Sequence, residues 1–271
     1  MRSALYVPGN RPELFDKALS GPADVVLIDL EDAVPLADKD SARREVAQWS
    51  RTVTTPGRVW VRVNPGERGH ADLAAVASPA IAAFCLAKTE SAQQVRAVGE
   101  ILARYESTAG TIRVCPLLET AGAVFAAQEI ARAPRVLRLQ IGEADLCAEV
   151  GITPGPDERE LAAIRGQVVL ASAAAGIGAP LGPVRTDFRD LEGLRVSTLA
   201  LWRLGFGGRA CIHPAQVPVV NEVFTPAPEE IDRARALVAR FEAATGGVIL
   251  DEDGRMVDHA VIRRARRLLE P

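Results

Sequence analysis

Two acidic residues stand where apolar, strand-like runs hand over to loops. Glu119 follows Arg113-Val114-Cys115-Pro116-Leu117-Leu118, and Asp145 closes Gly142-Glu143-Ala144-Asp145 after Val136-Leu137-Arg138-Leu139-Gln140-Ile141. Carboxylates at the ends of successive strands, beside glycine and backbone carbonyls, suit one hard divalent cation. Mg²⁺ takes one or two carboxylates and completes its octahedron with substrate oxygens and water. Singly, each acid has an ordinary alternative, satisfying the N-terminal end of a helix. Together, at matching strand ends, they favour metal. Glu143 is a third, less well placed ligand candidate.

Other charged groups occupy comparable positions. Glu31 and Asp32 follow Val25-Val26-Leu27-Ile28-Asp29-Leu30 and suit holding metal-bound water, with helix capping as the alternative and a structural role for Asp29. Arg62 interrupts the apolar run Val59-Trp60-Val61-Arg62-Val63. A buried guanidinium needs a partner: either a carboxylate of the protein or, the reading preferred here, a substrate carboxylate gripped by its fork. Arg11 and Lys17 flank the start of a helix and suit a polyphosphate arm; Lys88 stands at another strand end. His213, before Pro214, has a structural alternative and is assigned no chemistry.

The elements that position these groups alternate along the chain. Strand-like runs fall at residues 4–7, 25–30, 59–63, 81–87, 111–118, 136–141, 183–188 and 209–212, with helix-like segments between them. Near-continuous apolar runs are expected of parallel strands buried on both faces. Eight strand–helix units imply a (β/α)₈ TIM barrel, whose chemistry gathers at the C-terminal ends of the strands. That places Asp187 and His213 among the strand-end groups. An open doubly wound sheet would carry a Gly-rich phosphate turn after its first strand, and none is present. Ser91 with Gln94 has the spacing of a capping box. The barrel is expected over residues 1–225 and a C-terminal helical arm over 226–271, serving as lid, subunit contact or both. In the arm, a helix over 229–244 stops at Gly246-Gly247, and Asp253-Gly254 marks a hairpin turn.

Composition sets outer limits. The 271 residues suffice for a large core, and a net charge of −3 provides no field for nucleic acid or anionic membrane. The four cysteines lack metal-finger spacing and read as buried hydrophobes of a reducing compartment. The opening residues lack the apolar stretch of a signal peptide, and no run approaches the ~18 apolar residues of a membrane helix. The cytoplasm is the expected location.

Together, Tyr6-Val7-Pro8-Gly9-Asn10-Arg11-Pro12, the segment 26–34, Val61-Arg62-Val63-Asn64, Leu118-Glu119-Thr120-Ala121, the segments 142–146 and 187–194, and Cys211-Ile212-His213-Pro214 resemble the citrate lyase beta-subunit and malyl-CoA lyase family. The resemblance covers nearly the whole chain in order. It implies a (β/α)₈ barrel, Mg²⁺ on Glu119 and Asp145, and an oxo-acid or hydroxy-acid carboxylate held by Arg62. It further implies coenzyme A phosphates near Arg11 and Lys17, and reversible aldol cleavage of a 3-hydroxyacyl-CoA such as malyl-, citramalyl- or citryl-CoA. Met256-Val257-Asp258 matches the family's Met-hydrophobic-Asp motif. The match implies a homotrimer or hexamer in which Asp258 serves a neighbouring subunit as general acid/base. One departure is the acid at 143, where many relatives carry it next to the aspartate, as Gly-x-Glu-Asp. The rival readings are a coenzyme A-independent pyruvate-type aldolase, a citrate lyase beta subunit acting on an acyl carrier protein, malate synthase or thioesterase activity at the same site, and a non-catalytic subunit of a complex.

Overall fold

Alternating faces, both apolar, decide the architecture. In β2 (Val25–Asp29), Val25 and Leu27 pack inward with Trp60, Cys85, Cys115 and Leu117, while Val26 and Ile28 join the outer layer beneath the helices. A strand apolar on both sides must be covered on both, and a closed barrel ringed by helices does this. In the computed structural model, which describes residues 1–55, 57–106, 108, 110–244 and 247–269, β1 (Ser3–Pro8), β2, β3 (Val59–Val63), β4 (Ile81–Leu86), β5 (Arg113–Leu118), β6 (Gln140–Ile141), β7 (Leu181–Gly182) and β8 (Gly208–Cys211) close in that order. Every ladder is parallel, and β8 pairs with β1.

The helices alternate with these strands: α1 (Phe15–Leu19), α2 (Lys39–Ser50), α3 (Gly66–Val76), α4 (Ala92–Leu102), α5 (Ala121–Phe125), α6 (Ala127–Ala131), α7 (Glu143–Val150), α8 (Ala162–Ala175), α9 (Leu191–Leu204) and α10 (Gln216–Val223). The capping box at α4 forms: Ser91 Oγ accepts from the Gln94 N–H, and Gln94 Oε1 accepts from the Ser91 N–H. The seventh strand departs from expectation. It is short and precedes Pro183, whose missing N–H ends the ladder. Asp187 therefore stands in an exposed loop beyond the strand, where its carboxylate accepts the N–H groups of Arg189 and Asp190.

Glu106 ties the loop after α4 to the barrel. Its carboxylate accepts from Arg135 Nη1 at 2.7 Å, Ile112 N at 2.6 Å and Gly110 N at 3.0 Å. Burial works to raise its pKa, but the Arg135 guanidinium and the two amides outweigh it and hold it at about 2, against an ordinary 4.5. A depressed carboxyl pKa stabilises the fold in full above the unfolded value and loses that contribution as pH falls toward 2. Glu106→Gln should cost about 2 kcal/mol at pH 7, after allowance for solvent around the loop. The difference from wild type in urea unfolding should shrink between pH 4.5 and pH 2.

The chain divides into two compact units, Met1–Phe224 and Thr225–Pro271. The second contains α11 (Pro228–Ala243), an antiparallel pair β9 (Ile249–Leu250) and β10 (Met256–Val257), and α12 (His259–Leu269). Phe241, Val257 and Ile262 form its core. Pro228 opens α11, and Gly254, at φ 75°, makes the hairpin turn as its type demands. The expected stop at Gly246 lies outside the described residues. Among those residues no helix is long and apolar enough to cross a membrane.

Candidate active site

Glu119 is the first residue beyond β5, and its side chain is buried. Lys88, turned into the left-handed region at φ 51° after β4, donates its backbone N–H to Glu119 Oε1 at 3.0 Å. Gly142 ends β6 with its N–H on Leu118 O and brings the start of α7 against Glu119. A Cβ at Gly142 would stand 2.6 Å from Glu119 Cγ. Glycine is required there for close approach rather than for backbone freedom. Gly142→Ala should displace Glu119 and weaken divalent-metal binding by about tenfold or more while leaving the barrel folded. Titration with Mn²⁺ beside a thermal melt checks this.

Asp145, in the first turn of α7, shares with Glu119 a cavity of about 380 Å³ that is also lined by Tyr6, Asp29, Arg62 and Gln140. Burial first, and then the Asp145 carboxyl beside it, raise the Glu119 pKa to about 8, against the pull of the Lys88 amide. Two acids so placed oppose each other's ionisation unless a cation lies between them. The residues therefore fit a divalent ion. No group of three or more His, Cys, Asp or Glu side chains suited to a metal occurs among the described residues. A two-carboxylate site with room for oxygen ligands suits Mg²⁺ rather than a four-ligand Zn²⁺ cage.

Arg62 has the protein partner that its sequence left as the alternative. Asp29, its neighbour across the β2–β3 ladder, accepts from Nε and Nη2 at 2.6 Å each. Nη1 stands 3.2 Å from Glu31 and 3.5 Å from Asp32. The Tyr6 ring lies 5.0 Å from the guanidinium carbon, and the Tyr6 hydroxyl accepts from Gln140 Nε2 at 3.0 Å. The fork expected to grip substrate is thus filled by Asp29, which leaves Nη1 as the edge turned to other acids. Lys88 Nζ reaches Glu31 at 3.4 Å. Burial lifts the Glu31 carboxyl, against the pull of Arg62 and with the push of Asp32.

The barrel therefore brings together Glu31, Asp32, Arg62, Lys88, Glu119 and Asp145. Glu143 is committed elsewhere: Arg165 donates to both its oxygens, at 2.6 and 2.7 Å, and to Glu158 at 2.8 Å. Glu143 also lines the cavity, but with both oxygens on Arg165 it is less available than Asp145 as a metal ligand. Tyr6 and Gln140 were not singled out in the sequence. The signal for Gln140 was there, a polar residue inside the apolar run before Gly142.

A family model, HpcH/HpaI aldolase/citrate lyase, matches residues 2–214. The chain belongs to this family. It is 36% identical over 273 residues to a (3S)-malyl-CoA thioesterase of Cereibacter sphaeroides, covering 99% of this chain and 93% of the relative. It is 33% identical to a citrate lyase subunit beta of Leuconostoc mesenteroides, covering 99% and 92%. Among solved structures, the CitE protein of Mycobacterium tuberculosis in complex with magnesium, acetoacetate and coenzyme A has a TM-score of 0.82, with 34% identity and coverage of 99% and 96%. Membership in this aldolase/citrate lyase family agrees with the closed parallel barrel.

Two expected groups of the family pattern, Arg11 and Lys17, are not in the cavity lining. Arg11 pairs with Glu13 just after β1, and Lys17 is exposed on α1. Asp258 caps α12, accepting from Ala260 N at 2.8 Å and Val261 N at 3.1 Å, and these donors hold its pKa below the usual carboxylate value. His213 is stacked on Phe188 at 4.7 Å, and its Nδ1 accepts from the Ala215 N–H, which is the structural alternative.

Proposed function

We propose that the chain is a Mg²⁺-dependent carbon–carbon lyase that cleaves, or forms, a 3-hydroxyacyl-CoA of the malyl, citramalyl or citryl type. The observation that carries this reading is the facing of Glu119 and Asp145 in one cavity with Arg62. Mg²⁺ held by Glu119 and Asp145 would act as a Lewis acid and template for the carboxylate and the adjacent oxygen of the oxo-acid half. Arg62, fixed by Asp29 and by the Tyr6 ring, offers Nη1 to the substrate carboxylate. Glu31 and Asp32, ringed by Arg62 and Lys88, orient water in the cavity. Arg11 and Lys17 serve the phosphates of the coenzyme A arm outside it.

Cleavage moves the hydroxyl proton to a base and breaks the bond between the carbinol carbon and the carbon α to the thioester. The acyl half leaves as an enolate that takes a proton at that α carbon. Asp258 is the group assigned to remove the proton from the acyl-CoA α carbon in the condensation direction and to return it in cleavage. In this reading Asp258 belongs to a neighbouring subunit of a trimer or hexamer.

A second reading is hydrolysis of the thioester, favoured by the Cereibacter relative's name. One assay separates the two. Malyl-CoA incubated with the enzyme and Mg²⁺ yields glyoxylate and acetyl-CoA by cleavage, but malate and a free coenzyme A thiol by hydrolysis. Glyoxylate without free thiol supports the lyase. Thiol without glyoxylate replaces it with the thioesterase. Activity on a carrier-bound citryl group alone would assign the chain to the citrate lyase beta-subunit branch.

A further inference from the structure

The far end of the barrel contains a second feature, unconnected with the strand-end acids. The starts of β2, β3, β4 and β5 surround a cavity of about 680 Å³. Trp60, Ile81, Leu137 and Tyr105 give it apolar walls, and Arg113 and Arg138 also line it. Arg113 is engaged, its Nε donating to Arg135 O at 3.2 Å and its Nη2 to Val136 O at 3.3 Å. Arg138 differs: its Nε and Nη1 are buried and have no hydrogen-bond partner among the described residues. Glu106 lines the cavity too, but its oxygens are taken by Arg135, Thr111 and the amides of residues 110 and 112. It is therefore committed elsewhere and does not neutralise Arg138.

A buried guanidinium without a counter-charge is costly, and buried donors in native proteins are almost always satisfied. The backbone nearby is closely packed. Gly178 donates its N–H to Leu137 O, and a Cβ on Gly178 would meet Arg138 Nε and Nη2 at 3.7 Å. The group is thus confined beside an open cavity rather than free to swing into bulk water.

We propose that this cavity binds a small organic anion. Its carboxylate supplies the missing counter-charge to the Arg138 guanidinium, and its apolar body lies against Trp60 and Leu137. A charge-assisted contact between guanidinium and carboxylate is stronger than one between neutral groups. The apolar walls select an organic acid over a bare inorganic ion. The N-terminal mouth of such a barrel serves stability rather than chemistry, so the occupant acts as a stabilising effector, separate from any substrate.

Benzoate, acetate, succinate and inorganic phosphate, titrated against the full chain in chelator, provide the test. Tryptophan fluorescence reports binding near Trp60, and thermal melts report linked stabilisation. Wild type and a Glu119→Gln/Asp145→Asn variant should bind benzoate saturably, with a rise in melting midpoint. Arg138→Met should weaken binding by about tenfold or more, as loss of a charge-assisted pair does. Without ligand, Arg138→Met should melt no lower than wild type, because an unpaired buried charge has gone. Arg138→Gln, closer in polarity, provides the same comparison should the methionine variant fail to fold. The proposal is overturned if no organic anion saturates wild type, or if only phosphate does. It is equally overturned if the Arg138 variants bind like wild type, or if binding is lost in the Glu119/Asp145 variant.

Discussion

Asp145→Ala should reduce metal-dependent cleavage of malyl-CoA by about a thousandfold or more. Metal polarisation of a reacting oxygen is worth several kcal/mol, and each ~1.4 kcal/mol is tenfold in rate. The arrangement around Glu119 makes a second consequence measurable without turnover. In wild type without metal, burial and then the Asp145 carboxyl push the Glu119 pKa up to about 8. Removing Asp145 takes away the second of the influences that raise it, leaving burial and the nearby Glu31 charge. Mn²⁺ titration at neutral pH should therefore show weaker binding in Asp145→Ala, with fewer protons released per ion bound. Glu119→Gln should also lose metal, and its fold should melt within a few degrees of wild type, because it removes the more buried of two opposed acids. Retention of tight Mn²⁺ binding in both variants would remove the metal site from this pair.

Much of the barrel is legible in the amino-acid order because its strands are apolar on both faces, a pattern that few other arrangements accommodate. The seventh strand is not, since a two-residue ladder leaves no periodicity to read and the polar run after Pro183 resembles a strand only in length. The site divides in the same way. Strand-end acids can be placed once the strands are. Which acid meets Arg62 depends on the β2–β3 register, which aligns Asp29 with Arg62 and escapes any count of spacing. The departure at residue 143 has a comparable explanation. Its partner Arg165 lies in α8, beyond a loop whose Glu158 sits at φ 52°, a conformation unfavourable for a side-chain-bearing residue. Contacts from Arg165, Arg185 and Ser197 hold Glu158 there.

That network leads to the other large expected effect. Arg165 is buried and bridges Glu143 to Glu158, while Ser197 joins Glu158 to the fully buried Arg209. Glu143 is the first residue of α7, and Asp145 is in the same turn. Arg165→Met strands the Glu143 carboxylate and leaves Glu158 to Arg185 and Ser197, and breaking a buried pair in this way costs about 3–5 kcal/mol. For a unit of this size that lowers the melting midpoint by about 6–15 °C. Because Glu143 then no longer anchors the start of α7, Mn²⁺ affinity should fall by about 10–100-fold, the usual effect of losing a group that orients a ligand. Arg165→Lys keeps the charge but not the fork, so it should recover part of the stability and most of the metal affinity. Glu143→Gln distinguishes orientation from ligation. If Glu143 acts only through Arg165, a neutral amide that still accepts one Arg165 hydrogen bond retains metal binding within a fewfold. If Glu143 coordinates the ion itself, Glu143→Gln loses metal as completely as Asp145→Ala, while Arg165→Lys leaves it unchanged.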